Sequence, residues 1–536
     1  MPDERSDLDA AAAAIAAVRG VVDGAARHLG SRGGRAAVDT DQVVSYDLAH
    51  AAAAVEVAGA ALRYGAKGPV EAALACAFVA DAVFDVMTRI LGREDAWGAA
   101  PGALDGCRSF LGRHRQPERL AALAGQEGPR HLDSDFELVL ETFRRFAEDR
   151  IRPAAESIHR HNGDIPEDII RGLAEMGGFG LSVPEEYGGF ASGGESDYLG
   201  MVVATEELSR GSLGAGGSLI TRPEILTRAL VRGGTEEQKR HWLPLIASAE
   251  AMVAVAVTEP DFGSDVAGLK VTATRADGGW VISGVKTWCT FAARADILML
   301  LARTDPDRSK AHRGLSMFIV PKPRGDAHGF VFDQRELSGP GDGRLEGRPI
   351  DTIGYRGMHS YELAFERWWV PDDCLIGGDG GIGKGFYYQM EGFENGRLQT
   401  AARAVGVMQA AYEAAFDYAS NRVVFGQPIL EYQLTKAKLA RMAVLIQACR
   451  QFMYEVATLM AKGEGAIEAS MLKAYACRAA EWVTREALQV HGGMGYAEEF
   501  PVSRYFVDAR VLSIFEGADE TLALKVVARR LIEKAG

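Results

Sequence analysis

One carboxylate near the C-terminal end stands in apolar company. Glu516 lies in the stretch SIFEGADET, directly after Phe515 and before Gly517. An unpaired charge among apolar side chains is costly, so such a residue either turns to water at a strand end or does chemistry. Apolar surroundings raise the proton affinity of a carboxylate, which can then remove a proton near neutral pH. Glu516 is therefore a candidate general base, with an exposed strand end as the alternative.

A second polar group follows a short apolar run. The stretch TEPDFGSDVAG begins at Thr258 and turns through Pro260 and Gly263. Its backbone N–H groups and the hydroxyls of Thr258 and Ser264 suit the polar edge of a ring or a phosphate. An ordinary strand-to-turn transition has the same composition, so this motif gains weight only from its neighbours.

The elements that position these residues change along the chain. Residues 1–130 are rich in alanine with apolar residues at helical spacing, which predicts a helical N-terminal extension. Residues 131–250 predict a second helical domain, in which Asp133 or Ser134 caps the first helix. Residues 251–385 contain short runs of Val, Ile, Trp and Phe broken by glycine, which predict strands. Long amphipathic helices over residues 386–536 predict a C-terminal bundle.

The predicted strands have no helices between them, and the stretch ADGGW predicts a hairpin turn. We therefore expect an antiparallel meander or barrel in an α+β multidomain chain, because parallel βαβ units need crossover helices.

Composition excludes several classes of protein. The chain has 536 residues and a formal net charge of -14 without a basic stripe, which argues against nucleic-acid binding. Six scattered cysteines without a C-x-x-C pair predict free thiols in a reducing cytoplasm. The acidic N-terminus precedes an alanine-rich run that is too short to span a bilayer, so we expect neither export nor membrane insertion. The pair His159 and His161 lacks a third ligand nearby, and we expect no metal site.

Five motifs occur in the order TEPDFGSDVAG, KTWCT, NRVVFGQPILEYQ, QVHGGMGY and IFEGADE. In this order and on these elements they resemble the acyl-CoA dehydrogenase family, over about residues 133–535. The resemblance implies that family's fold: an N-terminal helical domain, a central β domain and a C-terminal four-helix bundle. It also implies an enzyme that takes the proton next to a thioester carbonyl and passes a hydride from the neighbouring carbon to FAD, with electron-transfer flavoprotein as the acceptor.

The resemblance also implies roles for individual residues. One subunit contacts the flavin through Val257, Thr258, Ser264, Trp288 and Thr290, although Trp288 alone could equally be a core aromatic residue. Arg422, Phe425 and Gln433 contact the FAD of the neighbouring subunit, and Gln489, Gly492 and Gly493 fit beside them because glycine lets the backbone approach a diphosphate. A site built from two subunits requires a homo-oligomer, a dimer or a tetramer.

Glu516 occupies the family's usual base position, with the matching Gly517 beside the thioester. Its backbone N–H is then one donor to the thioester oxygen, which gains negative charge as the proton leaves. Some members carry the base on an earlier helix, just before an arginine. Here Gly396 stands before Arg397, and Glu394 is two residues away, a rotation of about 200° around a helix. Glu516 is therefore the expected base.

Two features depart from ordinary members: the extension and the long glycine-rich stretch from Gly325 to Arg356. Both resemble members that oxidise (2S)-methylsuccinyl-CoA to mesaconyl-CoA in the ethylmalonyl-CoA pathway. Such a substrate carries a free carboxylate that needs a charged partner, and arginine suits it best. The candidates are Arg222, where Gly216 and Gly217 would leave room for a branched chain, and Arg356.

The N-terminal helices need a surface on which to bury their apolar stripes. We expect them to pack on the rest of the protein and to favour a dimer over a tetramer. Four alternatives remain open: a short-chain or branched-chain acyl-CoA dehydrogenase, a flavin oxidase, a flavin monooxygenase, and a non-catalytic, nucleic-acid-associated protein with the same fold.

Overall fold

The computed structural model describes residues 4–194, 196–325 and 328–535. The chain divides into two compact units. The first combines Met1–Leu138 with Thr400–Gly536, and the second is Val139–Gln399.

The N-terminal extension is helical, as predicted. Alanine has the highest helix propensity and a small side chain, so neighbouring helices can approach closely. Ala51, Ala53 and Ala54 are almost completely buried where these helices pack. The helices are α1 (Glu4–Gly33), α2 (Ala37–Thr40), α3 (Gln42–Gly65), α4 (Pro69–Ile90), α5 (Glu94–Trp97), α6 (Arg108–His114) and α7 (Pro117–Ala121).

The second helical region begins at a side-chain cap. Asp133 Oδ1 accepts hydrogen bonds from the backbone N–H groups of Asp135 and Phe136, both at 3.1 Å. Thr235 and Gln238 form a capping box at a later helix. The helices are α8 (Ser134–Phe146), α9 (Arg152–His161), α10 (Glu167–Glu175), α11 (Ser196–Gly211), α12 (Thr221–Gly233) and α13 (Glu236–Ala247), with π-helical stretches at Ala147–Ile151 and Leu213–Gly217.

One eight-stranded sheet follows. Its strands are β1 (Val253–Ala256), β2 (Thr272–Ala276), β3 (Gly279–Thr290), β4 (Ile297–Arg303), β5 (Leu315–Pro321), β6 (Phe330–Asp333), β7 (Arg344–Ile350) and β8 (Ser360–Pro371). The order is β1-β4-β2-β3-β8-β7-β6, and β5 pairs with β4. The predicted hairpin turn is confirmed, because Ala276 pairs with Gly279 around Asp277 and Gly278.

The sheet is mixed, whereas a purely antiparallel one was expected. Strand β1 runs parallel to β4, with Val253 opposite Ile297. A parallel neighbour needs a crossover, and here the β2–β3 hairpin lies in the connection where a helix was sought. Strand β4 is buried along its whole length, which explains why it reads as a continuous apolar run.

Helices return after the sheet. They are α14 (Gly385–Asn421), α15 (Gln433–Ala461), α16 (Ala466–His491), α17 (Gly493–Tyr496), α18 (Val502–Leu512), α19 (Asp519–Thr521) and α20 (Arg529–Ala535), with a π-helical stretch at Leu522–Ala528 and a short hairpin of β9 (Val423–Val424) and β10 (Gln427–Pro428). Within the first unit, α3 packs against α15 and α16, and α1 against α20. The extension therefore buries its apolar faces on the C-terminal helices, as expected.

All six cysteines are buried and unpaired, which confirms the expected free thiols. No helix in the described part of the chain is long and apolar enough to cross a membrane.

Candidate active site

Glu516 lies in a loop between two helices, and the alternative of a strand end is wrong. Residues 513–518, the base loop, connect α18 to α19. Glu516 has φ +54° and Gly517 φ +96°. A non-glycine residue in the left-handed region costs about 1–2 kcal/mol, and such strain persists only where the surroundings enforce it.

The functional groups of Glu516 are available. Its carboxylate is half-buried and makes no hydrogen bond or ion pair with any described residue. Its backbone N–H has no acceptor among the described residues either. One residue thus presents a free acceptor for a proton and a free donor for an oxyanion.

Buried cations hold the base loop from the helix bundle. Lys473 on α16 donates to the carbonyl of Gly517, and the guanidinium carbon of Arg403 lies 4.6 Å from the centre of the Phe515 ring. Both cations are almost completely buried. A Cβ on Gly517 would lie 3.0 Å from Leu522 Cδ2, so both the space and the φ angle favour glycine there.

In the second unit, a buried ion pair joins two of the motifs. Lys286 Nζ donates to Glu259 Oε1 and to the carbonyl of Val257, each at 2.9 Å. Burial lowers the pKa of Lys286 to about 8, although Glu259 opposes this shift. The backbone N–H of Thr287 donates to Thr258 O at 2.8 Å. These contacts align the TEPDFGSDVAG turn with the KTWCT strand.

Trp288 lies where β3 changes register against β8. It has φ +57° and is 55% exposed, so the interpretation as a core aromatic residue is wrong. Thr290 Oγ1 lies 3.3 Å from Ser360 Oγ. Thr258 is half-exposed and Ser264 exposed, whereas the Val257 side chain is buried in the core and can offer only its backbone.

These residues fit a flavin ring. An indole on a strained backbone leaves an apolar surface open, which a planar aromatic ring would cover. The half-exposed Thr258 hydroxyl makes no hydrogen bond with a described residue and can serve a polar ring edge.

The first unit carries the residues assigned to a neighbouring FAD. Phe425 is at the tip of the β9–β10 hairpin, with φ +51° and 95% of its surface exposed. Arg422, Gln433 and Gln489 are exposed as well. The His491 ring of the QVHGGMGY motif stacks on Tyr418, three residues before the NRVVFGQPILEYQ motif, with 4.3 Å between centroids.

Gly492 and Gly493 lie in the open. A Cβ on either glycine would meet nothing within 4 Å, and Gly492 has φ +59°. The backbone is therefore accessible to a bulky anion, as the motif predicted.

Arg222 is the better candidate of the two arginines. It is 5% exposed, and no carboxylate among the described residues lies within ion-pair distance. Its protein contacts are a long hydrogen bond of 3.4 Å to Ser218 O and a ring contact of 5.7 Å with Tyr355. A buried guanidinium without an acidic partner is poised to receive an anion.

Arg356 is engaged by the protein backbone. Its guanidinium donates to His159 O at 2.8 Å and to Thr352 O at 3.2 Å. These bonds fix the connection before β8, which is a structural role.

The expectation that Gly216 and Gly217 leave room for a branched chain is wrong. A Cβ on Gly216 would lie 2.3 Å from Leu208 O, and one on Gly217 would lie 1.8 Å from Ser209 Oγ. Both glycines permit close packing against α11 and open no space.

Glu394, on α14, has a perturbed pKa. Burial raises it, while Arg397 lowers it and Glu391 raises it further. A carboxylate with a raised pKa is a second candidate for proton transfer.

Comparisons with known proteins agree with the motifs. The chain matches the family models for the acyl-CoA dehydrogenase N-terminal domain over residues 133–250, the middle domain over 254–368 and the C-terminal domain over 383–532. The chain belongs to the acyl-CoA dehydrogenase family, and it is an FAD-dependent oxidoreductase acting on acyl-CoA.

Individual relatives are more specific. The chain is 44% identical to (2S)-methylsuccinyl-CoA dehydrogenase of Cereibacter sphaeroides over 408 residues, covering 76% of this chain and 71% of the relative. It is 34% identical to the mitochondrial short-chain specific acyl-CoA dehydrogenase of Bos taurus over 404 residues, covering 75% of this chain and 91% of the relative. The solved structure of a glutaryl-CoA dehydrogenase in complex with glutaryl-CoA aligns with a TM-score of 0.66 and 29% identity, covering 73% of this chain and 94% of that chain.

Proposed function

We propose that the chain oxidises (2S)-methylsuccinyl-CoA to mesaconyl-CoA, a step of the ethylmalonyl-CoA pathway. Arg222 carries this proposal, because its buried guanidinium has no acidic partner among the described residues and so suits a substrate with a free carboxylate. The 44% identical relative is named for this substrate. The 29% identical complex holds glutaryl-CoA, which is also a dicarboxylic thioester.

Glu516 is the proposed base. Its carboxylate takes the α-proton, while its N–H donates to the thioester oxygen as negative charge develops there. The bound FAD supplies the acceptor for the β-hydride. Val257, Thr258, Ser264, Trp288 and Thr290 would hold the flavin ring, and Gly517 would lie beside the thioester.

A second subunit would complete the cofactor site. Phe425 at the hairpin tip is 95% exposed, and an apolar ring on a strained turn suits burial against a partner. Arg422, Phe425, Gln433, Gln489, Gly492 and Gly493 would contact the FAD of a second copy. We propose a homodimer, because the extension packs on α15 and α16, where a further pair of subunits could otherwise bind.

Three further proposals concern the electron acceptor, the location and the domain boundaries. Electron-transfer flavoprotein is the proposed electron acceptor, as the family resemblance implies. The cytoplasm is the proposed location, supported by six unpaired thiols. The division into domains at residues 130, 250 and 385 is also proposed.

A short-chain acyl-CoA dehydrogenase is the second candidate, favoured by the 34% identical relative. A panel of thioesters separates the two. The holoenzyme is mixed anaerobically with methylsuccinyl-, butyryl-, isobutyryl- and glutaryl-CoA, and loss of flavin absorbance is followed. We expect the fastest bleaching with methylsuccinyl-CoA. A preference for butyryl-CoA or isobutyryl-CoA would overturn the proposed substrate.

Glu516→Gln tests the base separately. The substitution keeps the shape and removes the basicity, so we expect a yellow protein that binds thioesters and reduces its flavin orders of magnitude more slowly. Reduction within ten-fold of the wild-type rate would move the role to Glu394 or Glu391, and Glu394→Gln is the matched variant.

A further inference from the structure

A carboxylate at the end of the base loop contacts the N-terminal extension. Asp519, the first residue of α19, accepts a hydrogen bond from Tyr46 Oη at 2.5 Å. His50 Nε2 lies 3.2 Å from the same oxygen, Oδ2. Tyr46 and His50 are one turn apart on α3, so they share a helix face, and their rings are 4.5 Å apart.

Two of the three residues in this contact lie outside the family's shared sequence. The family matches begin at residue 133, whereas Tyr46 and His50 belong to the extension. Asp519 falls within the C-terminal match. The cluster is thus a part that the extension adds to a loop shared with the family.

The contact also lies where it can act on Glu516. The backbone N–H of Asp519 donates to Ser513 O at 3.1 Å, and this bond closes the base loop across its two ends. Asp519 is three residues from Glu516, whose left-handed conformation needs a rigid frame. Lys473 and Arg403 hold the middle of the loop, while the extension holds its end.

The cluster is buried and charged. His50 is 4% and Asp519 9% exposed. Burial tends to raise the pKa of Asp519, but the contacts with His50 and Tyr46 outweigh this effect and lower it. Burial likewise lowers the pKa of His50 and, together with Asp519, raises that of Tyr46 to about 12. Asp519 is therefore an anion that accepts a charge-assisted hydrogen bond from Tyr46, a strong attachment for a loop.

We propose that Tyr46 and His50 are positioning residues for the catalytic base, acting through Asp519 on the conformation of the base loop. This inference rests on the proposed role of Glu516. It gives the extension a part in the reaction, because its third helix supplies one of the supports that keep the carboxylate in place.

The test compares two tyrosines of α3. Tyr46→Phe removes the hydroxyl that holds Asp519. Tyr64→Phe is the matched control. It removes a buried hydroxyl that donates to Pro129 O at 3.0 Å, and this hydrogen bond does not involve the base loop. The full-length holoenzymes are mixed anaerobically with methylsuccinyl-CoA, and the limiting rate of flavin reduction, the half-saturating thioester concentration, the flavin spectrum and the melting temperature are measured.

We expect Tyr46→Phe to lower the limiting reduction rate about ten-fold, because a displaced catalytic group loses much of its effect. The half-saturating thioester concentration should stay within two-fold of the wild-type value. The flavin spectrum should be unchanged. Tyr64→Phe should keep the limiting reduction rate within two-fold of wild type, even if its melting temperature falls as much as that of Tyr46→Phe. If Tyr46→Phe does not fold, Asp519→Asn makes the same comparison, because it removes the anion and keeps the shape.

Three outcomes would overturn the inference. Tyr46→Phe and Asp519→Asn could both keep the wild-type rate, Tyr64→Phe could lose as much rate as Tyr46→Phe, or the loss could appear in half-saturation alone. Glu516→Gln, measured alongside, separates this inference from the proposed function. Rapid reduction in Glu516→Gln would refute the base itself. A slow Glu516→Gln with an unaffected Tyr46→Phe would refute only the role of the extension.

Discussion

Replacing Arg222 by methionine separates the substrates that this fold can accept. The guanidinium offers five N–H donors, and with the described residues it makes one long hydrogen bond, to Ser218 O at 3.4 Å. The fork is therefore available for a substrate carboxylate. Removing one partner of a buried, hydrogen-bonded charge pair costs roughly 2–5 kcal/mol. At about 1.4 kcal/mol per ten-fold, the lower figure predicts a loss of about 30-fold in kcat/KM for methylsuccinyl-CoA.

The same substitution should leave the free enzyme folded. The ring contact with Tyr355, at 5.7 Å, contributes about 0.5–1 kcal/mol. Loss of this contact is offset because the substitution removes a buried cation that has no acidic partner among the described residues. We expect the melting temperature of Arg222→Met to match or exceed that of wild type, and kcat/KM for butyryl-CoA to be unchanged or improved.

Steady-state kinetics with both thioesters and thermal unfolding of the holoenzyme check these expectations. Arg356→Met is the matched control, because it removes two hydrogen bonds to backbone carbonyls and should lower stability without discriminating between the substrates. Equal losses of kcat/KM for methylsuccinyl-CoA and butyryl-CoA in Arg222→Met would refute the anchoring role and make that arginine structural.

Two further predictions concern the scaffold. Removing residues 1–130 uncovers the faces of α15 and α16 on which the extension packs. This truncation should lower the melting temperature by roughly 10 °C or more, and sedimentation should show a change in mass from a dimer to a tetramer. Unchanged stability, mass and kinetics would show that the extension is an independent appendage. Burial lowers the pKa of Lys322 to about 7, so this amine binds fewer protons in the folded than in the unfolded chain between about pH 7 and 10, and it makes the free energy of unfolding rise with pH there. Lys286, with its pKa lowered to about 8, acts in the same direction. Lys322→Met should therefore reduce the slope of the free energy of unfolding against pH without abolishing it, and an unaltered slope would contradict the prediction.

Local patterns predicted most of the elements. Alanine-rich periodicity placed the helices of the extension, and Val-, Ile- and Trp-rich runs between glycines placed the strands. Pairing between distant strands was beyond such patterns. Strand β1 pairs with β4 in parallel, although the hairpin between them looked like part of a meander. Crossover direction depends on packing in three dimensions, which residue types along one strand do not encode.

For a similar reason, the sequence predicted some residues of the candidate site but not the contacts between them. Motif residues could be named from the sequence, and so could the need for an anionic partner such as Arg222. The isolation of Arg222 from carboxylates could not, because it depends on which acidic residues fold near it. Tyr46 and Asp519 are 473 positions apart, and neither residue belongs to a pattern that indicates the contact. Gly216 and Gly217 were misinterpreted because close packing and open space require the same missing side chain.

Backbone strain links the motifs in a way that the sequence does not reveal. Trp288, Phe425 and Glu516 each lie in a different motif, and each has a left-handed φ that a bulky side chain adopts only at a cost. Such strain needs enforcement from outside the residue. The Lys286–Glu259 pair, next to Trp288 in the sheet, is one source of enforcement, and the buried cations around the base loop are another. The hairpin tip at Phe425 has no comparable support from the described residues, since it is 95% exposed. Its conformation is therefore the one that a second subunit would have most effect in stabilising, which makes the oligomer a requirement of the proposed cofactor site rather than an addition to it.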